Sequence, residues 1–348
     1  MGWIFSKQYM AANAQAGKHM AEQFAVLKGM RAAYNRSNEV IAADMPTVNS
    51  GRIPADVWRD MDAQTSVLMR QPNLTLLNDL MPLAKPLSIG KLYAEYRIAS
   101  DAGNVRSSVS GEVQMLNDKT AYTYDGNVVP VHTVGWSRDF REVAGMTSEG
   151  FDGLMDDQAN SLRNLSNKMA NYVYNGDSSV VFNGKQGYGV KNHPNTLQIS
   201  FSAALANINL ATSTDGVAIR KAFQYIRDAL RITNAVDGQI TFYVSRTILS
   251  NLEQAWNSSN SSNVTVLEMV RKLEGVAAIK EDASLTGNQV IALCLESRFI
   301  RPLVGMATGT YAVPRVMFND PHRFYGANAV GLEIRKDSAG QAAVAYAS

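Results

Sequence analysis

The chain has a single cysteine in 348 residues. Cys294 lies inside the apolar run Val290–Leu295, so an intrachain disulfide is excluded and a small buried hydrophobe in a strand is expected, as suits a reducing compartment. Charge is scarce as well. Asp, Glu, Lys and Arg make up 18% of the chain, below the roughly one quarter usual in globular proteins. Asn, Ser, Thr and Ala fill the gap, and such a surface is buried against another protein at lower desolvation cost than one rich in Lys and Glu. No apolar run approaches the length needed to span a bilayer and no signal peptide is evident, so no membrane partner is expected. A dense Lys/Arg stripe is also missing. The net charge is +2, and it is carried by the first fifty residues, where Lys7, Lys18, Lys28, Arg31 and Arg36 oppose Glu22, Glu39 and Asp44. A solvated helix face and a weakly basic arm near nucleic acid both accommodate that excess.

Recognisable catalytic chemistry is missing too. The four histidines, His19, His132, His193 and His322, do not stand at metal-ligand spacing, and a Cys cluster is lacking. The glycines of Gly184-Lys185-Gln186-Gly187-Tyr188-Gly189 do not join a strand to a phosphate-binding helix, and a Gly-x-Ser-x-Gly elbow is absent. Asp156 and Asp157 are adjacent on a helix and diverge by about 100°, which suits a solvated face better than an acid–base pair. His193, before Pro194, reads as a loop-packing residue rather than a base. No nucleophile, base, metal or cofactor can be named, and the chain is read as non-enzymatic.

The elements that are present have a telling order. Residues 1–84 hold short helical pieces. Met20, Phe24, Leu27 and Tyr34 share one face, and Val57, Trp58, Met61, Thr65 and Leu68 share another, with Gly51-Arg52-Ile53-Pro54, Pro72, Pro82 and Pro86 as breaks. Leu92–Ile98 alternates as a half-buried strand does, and Val128–Trp136 reads as a second strand that Pro130 demotes to an edge or a bulge. Between them lies Ser100–Asn127, rich in Ser, Gly, Asn and Asp. Loops beyond about 12–15 residues are uncommon without a function, and a two-stranded ribbon is marginal alone, so this excursion is expected to pack on a neighbouring subunit or to stay unordered until it does.

Thr147 or Ser148 is then placed to cap a long helix ending at Asn175-Gly176-Asp177. Its stripe is Phe151, Leu154, Met155, Gln158/Ala159, Leu162, Leu165, Met169 and Tyr172/Val173, and its length is about 40 Å. After a glycine-rich loop over 178–200, a mixed block at 205–300 carries helices marked by Val217–Leu230, Ile248–Trp256 and Val264–Leu273, and strands at Gln239–Val244, Val276–Ile279 and Gln289–Leu295. Strand signals return at Tyr311–Phe318 and at Val330, Leu332 and Ile334.

Helical arm, long β excursion, one long helix, glycine-rich turn, mixed α/β block and strand-rich end form an order that resembles the major capsid proteins of tailed bacteriophages, the fold shared with encapsulin shells. The stretch Val180-Val181-Phe182-Asn183-Gly184 through Gly187-Tyr188-Gly189-Val190-Lys191-Asn192-His193-Pro194 is similar to the segment after the long helix in one capsid subgroup. The resemblance implies an α+β fold with an N-terminal arm at 1–84 and an E-loop with its base strands at 85–140. It implies a P-domain with its spine helix at 141–204, an A-domain at 205–299, and completion of the P-domain at 300–348.

It also implies self-assembly into pentamers and hexamers of an icosahedral shell around double-stranded DNA held by weak non-specific contact. Assembly in the bacterial cytoplasm, a portal, a separate scaffolding protein and a decoration protein follow from the same resemblance, with no cofactor. A fused scaffolding segment is not evident. Asp101, Arg106, Glu112, Asp118 and Lys119 are the candidate intersubunit contacts of the excursion, against plain solvent exposure. Lys119 also raises the question of a Lys–Asn cross-link, for which the sequence offers no partner. Three alternatives stay open: an encapsulin-like compartment, a tail or baseplate protein, and an enzyme with a site near His193 or His322.

Overall fold

The computed structural model describes residues 74–103, 105, 107, 109, 118–148, 153–201, 205, 207–256 and 264–348. The helical stripes expected before residue 74 lie outside them, as do Phe151, Arg106 and Glu112. The chain forms two compact units. One draws on Val131–Met169 and Gly305–Val330, the other on Asn73–Pro130, Ala170–Val304 and Gly331–Ser348.

The second unit is built on a mixed five-stranded sheet. In chain order its strands are β7 (Leu197–Ile199), β8 (Ile240–Val244), β9 (Val276–Glu281), β10 (Val290–Cys294) and β13 (Val344–Ala347), and they hydrogen-bond in the order β7-β13-β10-β8-β9. β10 runs antiparallel to both β8 and β13, while β13 is parallel to β7 and β8 is parallel to β9. Every residue of β8 and β10 is buried, which explains their unbroken apolar runs: both faces of these central strands are covered.

Three helices cover one face: α4 (Gly216–Asp228, continued by a π turn at Ala229–Thr233), α5 (Arg246–Leu252) and α6 (Val266–Arg271). Ile219, Phe223, Ile226 and Leu230 recur at helical spacing and pack with Phe242, Val244, Ile248, Leu252, Val266 and Val270. Phe223 meets Phe242 edge-on at 5.1 Å. The helices start where their caps dictate. The Asp215 carboxylate accepts from the Val217 and Ala218 amides, Ser245 from Ile248, and Thr265 from Glu268.

On the other face of β8, the Tyr243 hydroxyl donates to Asp79 (2.5 Å), which also takes Lys280 (2.7 Å). Asp79 sits on α1 (Thr75–Leu80), whose Leu76, Leu77 and Leu80 are fully buried. The Leu76 amide, the Tyr174 hydroxyl and the Ser284 amide all donate to Asp282, itself wholly buried. Residues 74–83 are therefore welded to the α/β body by a leucine face and two acids. A short 3-10 turn (Met81–Leu83) leads to β1 (Lys85–Pro86), which is parallel to Leu303 and Val304 of β11 (Ile300–Ala312).

In the first unit, β4 (Val131–Arg138) pairs antiparallel with residues 322–329 of β12 (His322–Ile334). Trp136 and Phe324, directly opposite, stack at 5.7 Å. Helix α3 (Gly153–Asn175) contributes to both units. In this one, Gln158 donates to Thr310 (3.2 Å), Asn328 approaches the Met169 sulfur (3.6 Å), and Asp157 accepts a two-pronged bond from Arg138 (2.5 and 2.9 Å). Asp157 is thus an ion-pair residue, not part of a plain solvated face.

The structure corrects several sequence expectations. Thr147 and Ser148 do not cap the long helix. They close a separate helix, α2 (Phe140–Ser148), and their hydroxyls bond back to the carbonyls of Val143 and Gly145, the backbone competition that makes Ser and Thr ambiguous near helix ends. Among the described residues α3 has 23 residues and spans about 34 Å. Met155, expected on its buried stripe, is exposed.

The single strand read across Val128–Trp136 is two strands, β3 (Tyr122–Val128) and β4, in different sheets and divided at Val129 and Pro130. Of the strand read at Tyr311–Phe318 only Tyr311 and Ala312 are strand, as the end of β11. Residues 313–321 form a turn held from within. Buried Arg315 donates to His322 Nε2 (2.8 Å) and to the Phe318 carbonyl, while Asp320 accepts from the Val316 and Met317 amides (3.0 and 2.9 Å).

Candidate functional site

The segment after α3 shows what its glycines and asparagine do. A helix end leaves its last carbonyls without partners. Here the Val190 amide donates to the Val173 carbonyl (2.7 Å), the Lys191 amide to Tyr174 (2.9 Å), and the Asn192 side chain to Asn175 (2.8 Å). The two backbones must touch for this to happen. Gly176 stands at φ +68°, the left-handed conformation of a helix-ending residue. A Cβ on Gly176 would lie 2.6 Å from the Gly189 nitrogen, and one on Gly189 would lie 2.3 Å from the Gly176 nitrogen. The glycine-rich turn is a main-chain clamp on the helix terminus, with no phosphate-binding geometry.

The next three residues anchor a ribbon. β2 (Tyr93–Ala99) and β3 pair antiparallel along their full length, from Tyr93 opposite Val128 to Ala99 opposite Tyr122. On the covered side, the His193 Nδ1 accepts the Asn195 amide (3.0 Å). The proton therefore sits on Nε2, which donates to Asn127 Oδ1 of β3 (2.9 Å). Asn195 donates to the Ile334 carbonyl (2.8 Å) and to the Tyr96 hydroxyl (3.4 Å). Asp125 of β3 takes Lys185 (3.0 Å) and the Tyr96 hydroxyl (3.3 Å). Burial pushes His193 down to about 4, aided by Lys185 and Lys336 against the opposing pull of Asp125. Burial works against ionisation of Asp125, yet bonds from Lys185, the Gly126 amide and Asn195 hold its carboxyl below its ordinary value. Tyr96 is pushed up to about 12, chiefly by burial.

β3 supplies Asp125 and Asn127, which sequence reading placed in a loop. Asp125-Gly126 is a common turn signal, and it hid the strand. The glycine is there for another reason: a Cβ would lie 2.4 Å from the Ala94 carbonyl and 2.8 Å from the Tyr93 ring. The alternation of Tyr122 and Tyr124 was the available strand signal. Glu333 was missed for a similar reason. It alternates with apolar neighbours as a solvent-facing residue does, yet it is wholly buried and takes both Arg301 (2.9 Å) and Arg335 (2.6 Å).

Of the predicted contact residues, Asp101, Asp118 and Lys119 are exposed at the base of the loop that joins β2 to β3. The Asp118 carboxylate accepts the Gly103 amide (3.3 Å) and the Lys119 amide (2.8 Å), so it ties the two legs of the loop together. Val105 and Val109 in the same loop are almost wholly exposed. Tyr122 and Tyr124 are also exposed, and the Arg97 guanidinium lies 5.6 Å from the Tyr122 ring centre.

Among the described residues, no group of three His, Cys, Asp or Glu side chains is placed to hold a metal, and no helix is long and apolar enough to cross a membrane. Both ring nitrogens of His193 are committed to structural bonds. His322 gives its Nε2 to Arg315 and is pushed down to about 4 by burial and by that guanidinium. Cys294 is buried, and burial pushes its thiol up to about 12.

The fold has relatives among solved structures. The capsid of Myoviridae phage XM1 matches with a TM-score of 0.63 at 14% identity, covering 86% of this chain and 99% of that one. A chain of Mycobacterium phage Ogopogo matches with a TM-score of 0.54 at 10% identity, covering 86% and 100%. The capsid of a native GTA particle matches with a TM-score of 0.52 at 11% identity, covering 86% and 99%. At these identities the likeness is one of fold: the chain has the α+β major capsid fold. The model of a family of unknown function (DUF6260) matches residues 47–347. No curated protein matches the sequence.

Proposed function

The chain belongs to the DUF6260 family, whose function is unknown, and on that premise we propose that it is the major capsid protein of a tailed bacteriophage, a non-enzymatic subunit that tiles with its own copies into a closed icosahedral shell around double-stranded DNA. The observation that carries this reading is the β2–β3 ribbon. It leaves the body on a dedicated polar anchor and ends in a loop that exposes Val105 and Val109. A two-stranded ribbon gains little stability alone, and apolar side chains left in solvent gain most when a neighbour covers them.

In this reading residues 1–84 act as an N-terminal arm, 85–140 as the E-loop with its base strands, and 205–299 as an A-domain that meets its copies around five-fold and six-fold axes. Residues 141–204, with the spine helix, and 300–348 form the P-domain. Asp101, Arg106, Glu112, Asp118 and Lys119 make polar contacts to the adjacent subunit. A portal, a separate scaffolding protein and a decoration protein complete the particle, which assembles in the bacterial cytoplasm. A subunit held at several modest contacts is held by all of them together, and that stabilises a closed lattice.

The test is negative-stain microscopy of the expressed chain beside a variant with residues 101–120 replaced by Asn-Gly. Ser100 and Ala121 already pair across the ribbon, the Ser100 amide donating to the Ala121 carbonyl (2.8 Å), so a two-residue turn closes it without strain. Polyhedral shells from the intact chain and folded, unassembled subunits from the variant are expected. Shells from the variant, or only tubes or rings from the intact chain, would sink the reading. A copurifying cargo enzyme in place of nucleic acid would move the assignment to an encapsulin-like compartment.

A further inference from the structure

We infer that the exposed face of the β2–β3 ribbon, a strip of tyrosines around Arg97, is the energetic anchor by which the subunit beds onto a second copy of itself. The inference rests on the shell reading above and names the side chains that carry it. The register puts Tyr93, Arg97, Tyr122 and Tyr124 on one face, since Arg97 opposes Tyr124 and Ala99 opposes Tyr122. The other face, with Ala94, Tyr96 and Ile98, is already buried.

Tyr122 and Tyr124 are 57% and 64% exposed, and Arg97 sits 5.6 Å over the Tyr122 ring. Tyr93 fills the space that a side chain at Gly126 would take, and it reaches Phe182 at 6.2 Å. Phe182 extends the strip onto the hairpin formed by β5 (Asp177–Phe182) and β6 (Lys185–Gly187). Tyrosine and arginine are the residues enriched at interface hot spots, because they bury much area at low entropic cost.

Charge and area select the occupant. Among the strand residues of this face only Glu95 and Arg97 are charged, and they cancel, so nothing here draws phosphate. The paired length is about 24 Å and the ribbon about 10 Å wide, and since the Gly126–Val128 end is buried the free face is at most roughly 240 Å². A stable two-body complex needs about 800 Å² from each partner. A foreign protein would not be held by this strip alone. A copy of the same chain in a lattice would be, because each subunit there makes several contacts at once.

The experiment uses the full chain. Tyr122→Ser with Tyr124→Ser should leave the circular dichroism spectrum unchanged and raise the concentration at which shells form by at least about tenfold, whereas Tyr122→Phe with Tyr124→Phe should assemble as wild type does. Assembly of the serine variant at wild-type concentration overturns the inference. As a second measurement, nitration of tyrosines mapped by mass spectrometry should modify Tyr122 and Tyr124 in free subunits and spare them in wild-type shells. Equal modification in both overturns it, and this arm decides if the serine variant does not fold. Failure of the wild-type chain to form any shell defeats the shell reading itself, a result distinct from wild-type shells that ignore the two tyrosines.

Discussion

Lowering the pH should loosen the ribbon at one identifiable bond. His193 accepts the Asn195 amide at Nδ1 and donates to Asn127 from Nε2, an arrangement that only the neutral ring satisfies. Protonation would set an N–H against the Asn195 N–H, in a pocket that Lys185 and Lys336 already make positive. The folded state therefore holds the group at about 4, against 6.5 when unperturbed, and that difference corresponds to about 3 kcal/mol. Between those two values the unfolded chain binds more protons than the folded one, so stability falls as the pH falls. The contribution is complete above pH 6.5 and is lost progressively down to about pH 4. Urea unfolding of dilute subunits, followed by circular dichroism from pH 7.5 to pH 4, measures the loss. His193→Gln should keep the donor to Asn127 and lose the acceptor for Asn195. At pH 7 it should cost about 1–2 kcal/mol, and because wild type alone loses about 3 kcal/mol by pH 4, the order of stability should invert near pH 5. A difference that stays constant across that range would refute the reasoning.

Other consequences follow from the buried charges and close approaches. Glu333→Ala should destabilise by about 3–5 kcal/mol, read from the urea midpoint, because Arg301 and Arg335 lose the carboxylate that balances them. Asp282→Ala strips an acceptor from the Leu76 and Ser284 amides and the Tyr174 hydroxyl. It should cost about 3 kcal/mol, and limited proteolysis should then cut within residues 74–90 before the rest of the body. Gly189→Ala places a methyl 2.3 Å from the Gly176 nitrogen and 2.6 Å from the Tyr174 carbonyl carbon. Neither backbone can yield without opening the helix end, so soluble yield should collapse while Gly184→Ala, with open space around it but a left-handed backbone, loses only about 1 kcal/mol.

The sequence made some of this legible and obscured the rest for definite physical reasons. The central strands at 240–244 and 290–294 and the helix over 216–228 announce themselves because each is covered on the faces its pattern requires. The end of α3 is equally plain, since Asn175-Gly176 is a helix stop wherever it occurs. The ribbon's inner strand β3 is hidden because Asp125-Gly126 serves cross-strand packing while spelling a turn. Glu333 is hidden because a buried ion pair needs partners from a neighbouring strand, and single-strand alternation carries no news of them. Of the five predicted contact residues, Asp118 turns out to brace its own loop. The exposed tyrosines beside it were read only as part of a polar excursion, because exposure of one face depends on which face the anchor covers.

The position of β13 has a consequence for how the sheet holds together. Residues 344–347 lie between β7 and β10 in the five-stranded sheet, and the Ser348 amide donates to the Ile199 carbonyl. β13 thus joins two parts of the body that are far apart in sequence, running antiparallel to one neighbour and parallel to the other. Without residues 344–347, β10 and β7 each present an open edge, and such edges invite pairing with other chains. The strand is a keystone of the sheet rather than a dispensable edge.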